Sequence, residues 1–518
     1  MMSPRTAGTS VDPPSVSLEH TLTLIASVVS LVLVAVALAT TTADPDLWGH
    51  VRFGHDIVAS RSIPAVDAYS FTSDRPWINH EWLAEVIAYG AYSLAGPVGL
   101  VVLRLTLVLG TLAAVARSLA IAGLRATHRH VLLLVATSGM FLRMQAVRPQ
   151  LFSFLLFAWM LVIVRSADAG RRGGLLAVPL IFAAWANLHG GWIVGLAIWL
   201  AWCGWTLIQG DWPARQRGRL VLLAVASVLA TLVTPYGLRL WQFLWETVGW
   251  SRPDIRDWQP IYLVSAGVYV PWTLLTMATV AGVVSSTRPR RVVYAATSLL
   301  LALGASRVSR LDAFFALATV SLLGQELTDV AVRAWRRVAG EDPAYEPGRV
   351  APRLAAWLIT GVTAASVGGA AVLSVPGLDC VRMAGDWLPE REAGLLVQSG
   401  TVSGRMITWF SWGEYAIWFG RPGLHVSLDG RRETVYSDAV VGEQLAFARG
   451  DAAAAASMER YGADWIWLPT QAAVLPSLIT AGWHVAFAGP TSSLLSRQPG
   501  PFVMSGAPGP GRRCFPGP

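Results

Sequence analysis

Two aspartates, Asp44 and Asp46, stand in Asp44-Pro45-Asp46-Leu47-Trp48, directly behind the first long apolar run at 22–40. Ionised carboxylates beside hydrocarbon are costly, about 2.5–3.5 kcal/mol for Asp at a helix centre and less near the interface, so their retention points to chemistry. The chemistry they suit is orienting or deprotonating a nucleophile. An Asp-Pro pair that only stops a helix and starts a turn is the competing reading. Arg307 and Arg310 stand three apart where a later span begins, and Arg148 and Arg239 lie between apolar runs. Guanidinium forks near a helix start favour an anion, which fits Arg307 and Arg310; a site that transfers a group from a lipid-phosphate donor would need such cations, and the candidates for its departing phosphate are then Arg310, Arg307, Arg239 and Arg148, in that order. Snorkelling to lipid headgroups is their structural alternative.

These residues need a scaffold, and composition says what kind. Of 518 residues, 54% are hydrophobic and 14% charged, against about 25% charged in soluble domains, which predicts a polytopic α-helical membrane protein. All 40 basic residues are arginine. Short loops hold them, as in Arg171-Arg172, Arg215/Arg217/Arg219, Arg288/Arg290/Arg291 and Arg333/Arg336/Arg337, so they read as cytoplasmic topology signals and not as a nucleic-acid surface. Residues 43–97 are too polar to cross and form a long loop; within it, 80–94 patterns as an amphipathic helix lying at the interface. Spans are then expected at 22–40, 98–121, 130–147, 150–167, 174–188, 191–209, 219–234, 266–286, 291–305, 309–325 and 354–374. That is about eleven, with a cytoplasmic N-terminal segment 1–21 and the C-terminus outside. Ala37-Leu38-Ala39 has the form of a signal-peptidase site, but the run is long for a signal peptide and cleavage would detach the two aspartates from their anchor. On this topology Asp44, Asp46, Arg148, Gln150, Asn187, His189, Tyr236, Arg239, Asp257, Arg307 and Arg310 all gather at one leaflet.

Residues 376–497 change character. Strand-like runs at 405–410, 424–428, 463–468 and 483–488 alternate with helix formers at 439–448 and 452–461, which predicts a small α/β domain outside the membrane. The Gly/Pro-rich end, 498–518, reads as a disordered tail. Of three cysteines, Cys203 lies in an apolar run, and Cys380 with Cys514 leaves room for a disulfide; no metal-ligand spacing is present.

Asp44-Pro-Asp-Leu-Trp-Gly-His-Val-Arg52, followed by Ile63-Pro64, 67–71 and Trp77-Ile-Asn-His-Glu-Trp82, resembles the first extracytoplasmic loop of the GT-C superfamily of membrane glycosyltransferases. Asp46-x-Trp48-x-His50-x-Arg52 is similar to the Asp-x-Trp-x-Asn-x-Arg pattern of oligosaccharyltransferase catalytic subunits. Val147-Arg-Pro-Gln-Leu-Phe, Asn187-Leu-His-Gly-Gly and 255–260 resemble bacterial GT-C-like proteins of unassigned substrate. The resemblance covers most of 20–325 and implies a transmembrane domain over 22–375. It implies an inverting transferase that moves a sugar from a polyprenyl-phosphate-linked donor to an envelope glycan, lipid or protein at the outer face of the cell membrane, among membrane lipids. Asp46 falls at the family-like acidic position, with Asp44 assisting or sharing a divalent metal such as Mg or Mn; the sequence leaves cofactor and metal open. His50, Arg52, His80 and Glu81 join the candidate site through the same motifs. A WWD-like acceptor motif is absent, so peptide-Asn transfer is not expected, although Trp412-Gly-Glu-Tyr and Asp429-Gly-Arg-Arg432 stand out in the outer domain. The rival class is a transporter or lipid flippase gated by that domain, which would need inverted repeats and mid-membrane charges on broken helices; a membrane scaffold would leave the loop carboxylates without a role.

Overall fold

The computed structural model describes residues 16–247, 252, 255–288, 291–339, 349–350, parts of 354–369, 379–383, 387–500 and 513–518. Among the described residues thirteen α-helices lead up to residue 339: α1 (Leu18–Leu38), α2 (Leu47–Ser60), α3 (Trp82–Ile121), α4 (Ala126–Gly139), α5 (Phe141–Gln145), α6 (Gln150–Asp168), α7 (Val178–Trp185), α8 (Trp192–Gln209), α9 (Ala214–Ala230), α10 (Leu238–Thr247), α11 (Ala266–Ser285), α12 (Arg291–Arg307) and α13 (Asp312–Ala339). Six of them, α1, α3, α6, α8, α11 and α13, are long and apolar enough to cross a bilayer, and the helical stretches Gly173–Trp185 and Val292–Arg307 are apolar but shorter. The chain is a multi-pass membrane protein. Helices occupy ten of the eleven expected spans, although 130–147 is broken into α4 and α5. The eleventh, 354–374, falls largely outside the described residues.

The long loop is more ordered than its polarity suggested. It contains α2, which ends in a left-handed Arg61 (φ 54°), and then α3. Within α3 the backbone leaves the helical region at Ala95 and Gly96, ahead of Pro97. The break divides an amphipathic segment at 82–94 from the apolar length beyond it, because Pro97 removes a backbone donor and Gly96 (φ 57°) supplies the reversed conformation.

One buried arginine ties the helix ends beneath the loop. Arg104, within the apolar part of α3 and fully buried, donates through Nε to Met144 O (2.7 Å) and through Nη1 to Leu38 O (2.6 Å). Those carbonyls end α5 and α1, where intrahelical donors run out, so Arg104 caps two helices at once. The segments that follow carry Asp44 and Arg148. Arg104→Met keeps bulk but orphans both carbonyls at about 1–3 kcal/mol each. The expected result is a melting temperature lowered by several degrees in detergent; an unchanged melting curve would remove this capping role.

Two short strand pairs flank the bundle: β1 (Val16–Ser17) lies antiparallel to β3 (Arg349–Val350), and β2 (Thr41–Thr42) parallel to β4 (Val381–Arg382). Beyond them β5 (Gly404–Thr408), β6 (Leu424–Val426), β7 (Trp465–Pro469), β8 (His484–Ala488) and β9 (Ser492–Ser496) form one sheet in the order β6-β5-β7-β9-β8. β6, β5 and β7 run parallel, and β9 is antiparallel to both its neighbours. Helices at Asp438–Ala448 and Ala452–Glu459 lie where helix formers cluster. The long loop joins this sheet. Phe71 N donates to Val426 O (3.1 Å) and Val426 N to Tyr69 O (3.0 Å), and the Arg431 guanidinium bridges Asp67 and Asp429 (both 2.6 Å).

The expected disordered tail is corrected at its far end. Cys514 is disulfide-bonded to Cys380, Phe515 is buried, and the Trp48 indole donates to Pro516 O (2.9 Å). Residues 513–518 therefore pack against the Asp44–Arg52 motif, and the ring contacts of Trp48 with Tyr415 and Phe515 (5.2 Å each) anchor α2 to the sheet domain.

Candidate active site

A cavity of about 210 Å³ opens where the loop, three interhelical turns and the sheet domain meet. It brings together Asp44, Asp46, His50, His80, Glu81, Arg148, Gln150, His189, Asp257 and Arg310 from the sequence reading. The motif in α2 explains part of this. Asp46 is the N-cap of α2 and His50 follows one turn later, so both face the cavity, whereas Trp48 turns into the buried core and Arg52 pairs with Asp56 (3.1 Å).

The two aspartates have different surroundings. Asp44 is buried; its Oδ1 accepts the Asp46 N–H (3.1 Å) and its Oδ2 is bound by Arg148. Arg148 also reaches Asp257 (2.7 Å), which Arg143 holds from the other side (2.5 Å) while its Nε contacts Asp312 (3.3 Å). This ladder of alternating charges runs from the loop to the start of α13. Breaking a buried pair on one side costs about 3–5 kcal/mol, so Asp44 and Arg148 act as a brace. Arg148 is thereby neutralised by two carboxylates, which corrects its expected place among the phosphate ligands.

The Asp46 side chain makes no hydrogen bond or ion pair among the described residues. Burial, then the neighbouring Asp44 charge, pushes its carboxyl up to about 7. Gly430 presses on it, since a Cβ there would lie 2.0 Å from Asp46 Oδ1 and 3.0 Å from Glu414 Oε1. Glu414 is buried; its Oε2 accepts the Gly49 N–H (3.0 Å), and burial together with Asp46 holds it well above the usual carboxylate range. Two carboxyl groups, Asp46 from the loop and Glu414 from the sheet domain, thus meet at Gly430.

A second group lies beside them. Burial opposes charge on His50, but Glu85 (3.6 Å), Glu81 and Asp46 outweigh it and raise the imidazole to about 9, so His50 is cationic at neutral pH. Glu81 faces His80 (3.5 Å) and His189 (3.7 Å). The Trp185 indole donates to Ser153 Oγ (2.6 Å), which leaves the Ser153 proton for His189 Nδ1 (2.7 Å); Gly191 N–H donates to the same nitrogen (2.9 Å). His189 Nδ1 is therefore an acceptor and its proton sits on Nε2. Burial lowers this imidazole to about 3, keeping it neutral.

Arg310 lies in the turn Ser309–Leu311 and, among the described residues, makes no ion pair; its guanidinium carbon stands 5.0 Å over the Trp258 ring. Arg143 fixes this turn through Ser309 Oγ (3.2 Å), which donates onward to Asp257 O (3.1 Å). Arg307 does not share its setting. It closes α12 and is exposed, Val308 between them is extended, and α13 begins only at Asp312. The expected two-arginine face on one helix is thus reduced to Arg310, and Asp312 already accepts the first free N–H of α13, from Ala313 (2.6 Å). Arg239 is exposed on α10 and outside the cavity. Asn187 and Tyr236 support its wall: Asn187 Oδ1 accepts from the Trp82 indole (2.9 Å) and Tyr236 Oη from Asn79 N (2.9 Å).

A shared metal on Asp44 and Asp46 does not fit these side chains. Both Asp44 oxygens are engaged, His189 Nδ1 accepts where a metal-bound imidazole would donate its second N–H, and no cluster of three His, Cys, Asp or Glu side chains suited to a metal occurs among the described residues. Residues that sequence reading left without a site role are Arg104, Arg143, Asn79, Glu85, Trp258, Glu414 and Arg431. An arginine inside the apolar run 98–121 was the available signal for Arg104, and the Trp412–Tyr415 and Asp429–Arg432 motifs were the signals for Glu414 and Arg431.

No protein-family model and no curated protein matches the sequence. Solved structures do match in fold. The oligosaccharyltransferase of Archaeoglobus fulgidus aligns at a TM-score of 0.57 and 11% identity over 87% of this chain and 69% of that one. ArnT from Cupriavidus metallidurans aligns at 0.55 and 14% over 93% and 99%, and its undecaprenyl phosphate complex at 0.51. The arabinofuranosyltransferase AftD from Mycobacteria aligns at 0.51 and 15% over 95% and 42%. The chain has the GT-C fold of membrane glycosyltransferases.

Proposed function

We propose that the protein is an inverting glycosyltransferase that moves a sugar from a polyprenyl-phosphate-linked donor to an envelope acceptor at the outer face of the membrane. One observation carries the reading: Asp46, a carboxylate whose side chain has no partner among the described residues, shares a cavity with Arg310, a guanidinium that makes no ion pair among them. The acceptor oxygen attacks the anomeric carbon from the side opposite the phosphate. The C1–O bond to phosphate breaks, its electron pair leaves with the phosphate, and Asp46 takes the acceptor proton. Arg310, with cationic His50, balances the charge that develops on the phosphate. ArnT, solved with undecaprenyl phosphate, supports a lipid-phosphate donor by its fold. In this reading 22–375 binds the lipid and 376–497 closes the site from outside. The charges gather at one end of the bundle, which favours transfer over the transport reading.

The test is release of polyprenyl phosphate from polyprenyl-phosphate-linked sugars by the protein in proteoliposomes, with envelope glycans compared by mass spectrometry with and without the protein. No donor consumption and identical glycans would reject the reading. Its orientation makes a separate prediction. The Cys380–Cys514 disulfide fits an oxidising compartment, and Cys203 is buried, so an exposed His425→Cys should be the residue labelled by a membrane-impermeant maleimide on intact cells. Labelling only after permeabilisation would invert the topology.

A further inference from the structure

A second cavity, of about 790 Å³, lies in the sheet domain, within the usual size range of ligand sites. Its position follows from the strand order. β5 leads to β6 on one side, and the chain then crosses to β7 on the other, so the connections diverge between β5 and β7. In open α/β sheets ligands bind outside the carboxyl ends of the strands at that divergence. The cavity is built there: Trp409, Phe410 and Ser411 follow β5, and Gln471 and Ala473 follow β7. Phe410 also lines the cavity that holds Asp46, so the two spaces share one aromatic wall.

We infer that this second cavity binds the acceptor as a saccharide chain, whose reacting end passes Phe410 to reach Asp46. Aromatic planes from Trp409 and Phe410 suit the apolar faces of sugar rings. The Trp409 indole N–H, the Arg449 guanidinium and the Gln471 amide have no hydrogen-bond or ion-pair partner among the described residues and offer donors to hydroxyl or acidic substituents. No carboxylate lines the cavity, which disfavours a basic peptide, and Ser411, Arg449 and Gln471 in its lining offer hydroxyl, guanidinium and amide groups for which an acyl chain has no partner. The inference rests on the proposed transferase reading, but its test does not depend on turnover.

Oligosaccharides released by mild acid from the envelope of the producing cells serve as the probe, with saturation-transfer NMR on the full chain in nanodiscs. Wild type should show transfer. Ala473→Trp, which places an indole in the cavity from an exposed position, should weaken binding at least 10-fold, and the combined Arg449→Ala/Gln471→Ala variant, which only trims exposed side chains, should weaken it several-fold. Equal binding by wild type and both cavity variants, no binding by wild type, or binding of a soluble peptide in place of the oligosaccharide would each overturn the inference. Polyprenyl phosphate release, measured in parallel, reports on the transferase reading by itself.

Discussion

Asp46→Asn is expected to lower the rate of sugar transfer by about 10²–10⁴-fold, the range a positioned general base supplies, while leaving expression and melting temperature intact. The substitution keeps the side chain's shape and removes a group that holds nothing else in place, since Asp46 has no side-chain partner among the described residues. Single-turnover release of polyprenyl phosphate is the measurement, and equal rates for wild type and variant would take Asp46 out of the mechanism. The pH profile adds a second signature. Only the ionised carboxylate accepts a proton, and burial with Asp44 sets its carboxyl at about 7, so transfer should decline as pH falls below about 7. Residual activity of Asp46→Asn should lack that limb. Gly430→Ala reaches the same group without removing it: the added methyl would stand 2.0 Å from Asp46 Oδ1, so the carboxylate must move and the rate should fall.

What the sequence disclosed of this site depended on the range of the interaction. The Asp46-to-Arg52 motif put Asp46 and His50 on one side of the chain because their spacing is set inside one helix, and both line the cavity. The boundary before residue 98 was visible because 43–97 are polar, and Gly96 with Pro97 breaks the helix there. Arg148 was assigned to a phosphate because Asp257, which neutralises it, lies 109 residues away. Arg307 and Arg310 looked like neighbours on one helical face because spacing does not reveal the extended Val308 between α12 and α13. In the sheet domain four strands showed as apolar runs, but β9, Ser-Ser-Leu-Leu-Ser, did not. It is buried between β7 and β8, and its serines meet polar partners such as Glu390, whose Oε2 accepts from Ser492 N (3.1 Å). The end of the chain read as a tail by composition, and one disulfide and one aromatic contact decide otherwise.

Arg310→Ala is expected to weaken polyprenyl phosphate binding about 10- to 100-fold and to abolish most transfer. The magnitude follows from a charge-assisted hydrogen bond of about 1.5–3 kcal/mol, with a tenfold change in affinity per 1.4 kcal/mol. Arg310 is the one cavity arginine of the original four whose charge is not already balanced by a carboxylate, and Arg143 and Ser309 hold its turn in place. Arg310→Lys should retain part of the affinity, because the charge remains while the planar fork and its stacking over Trp258 are lost. Arg307→Ala should bind as wild type does, since Arg307 is exposed outside the cavity, and adding it to Arg310→Ala should cost nothing further. A headgroup-snorkelling role predicts no change in affinity for any of these variants. Equilibrium binding of polyprenyl phosphate to each therefore decides the matter, and unaltered affinity in Arg310→Ala would leave the departing phosphate to His50 alone.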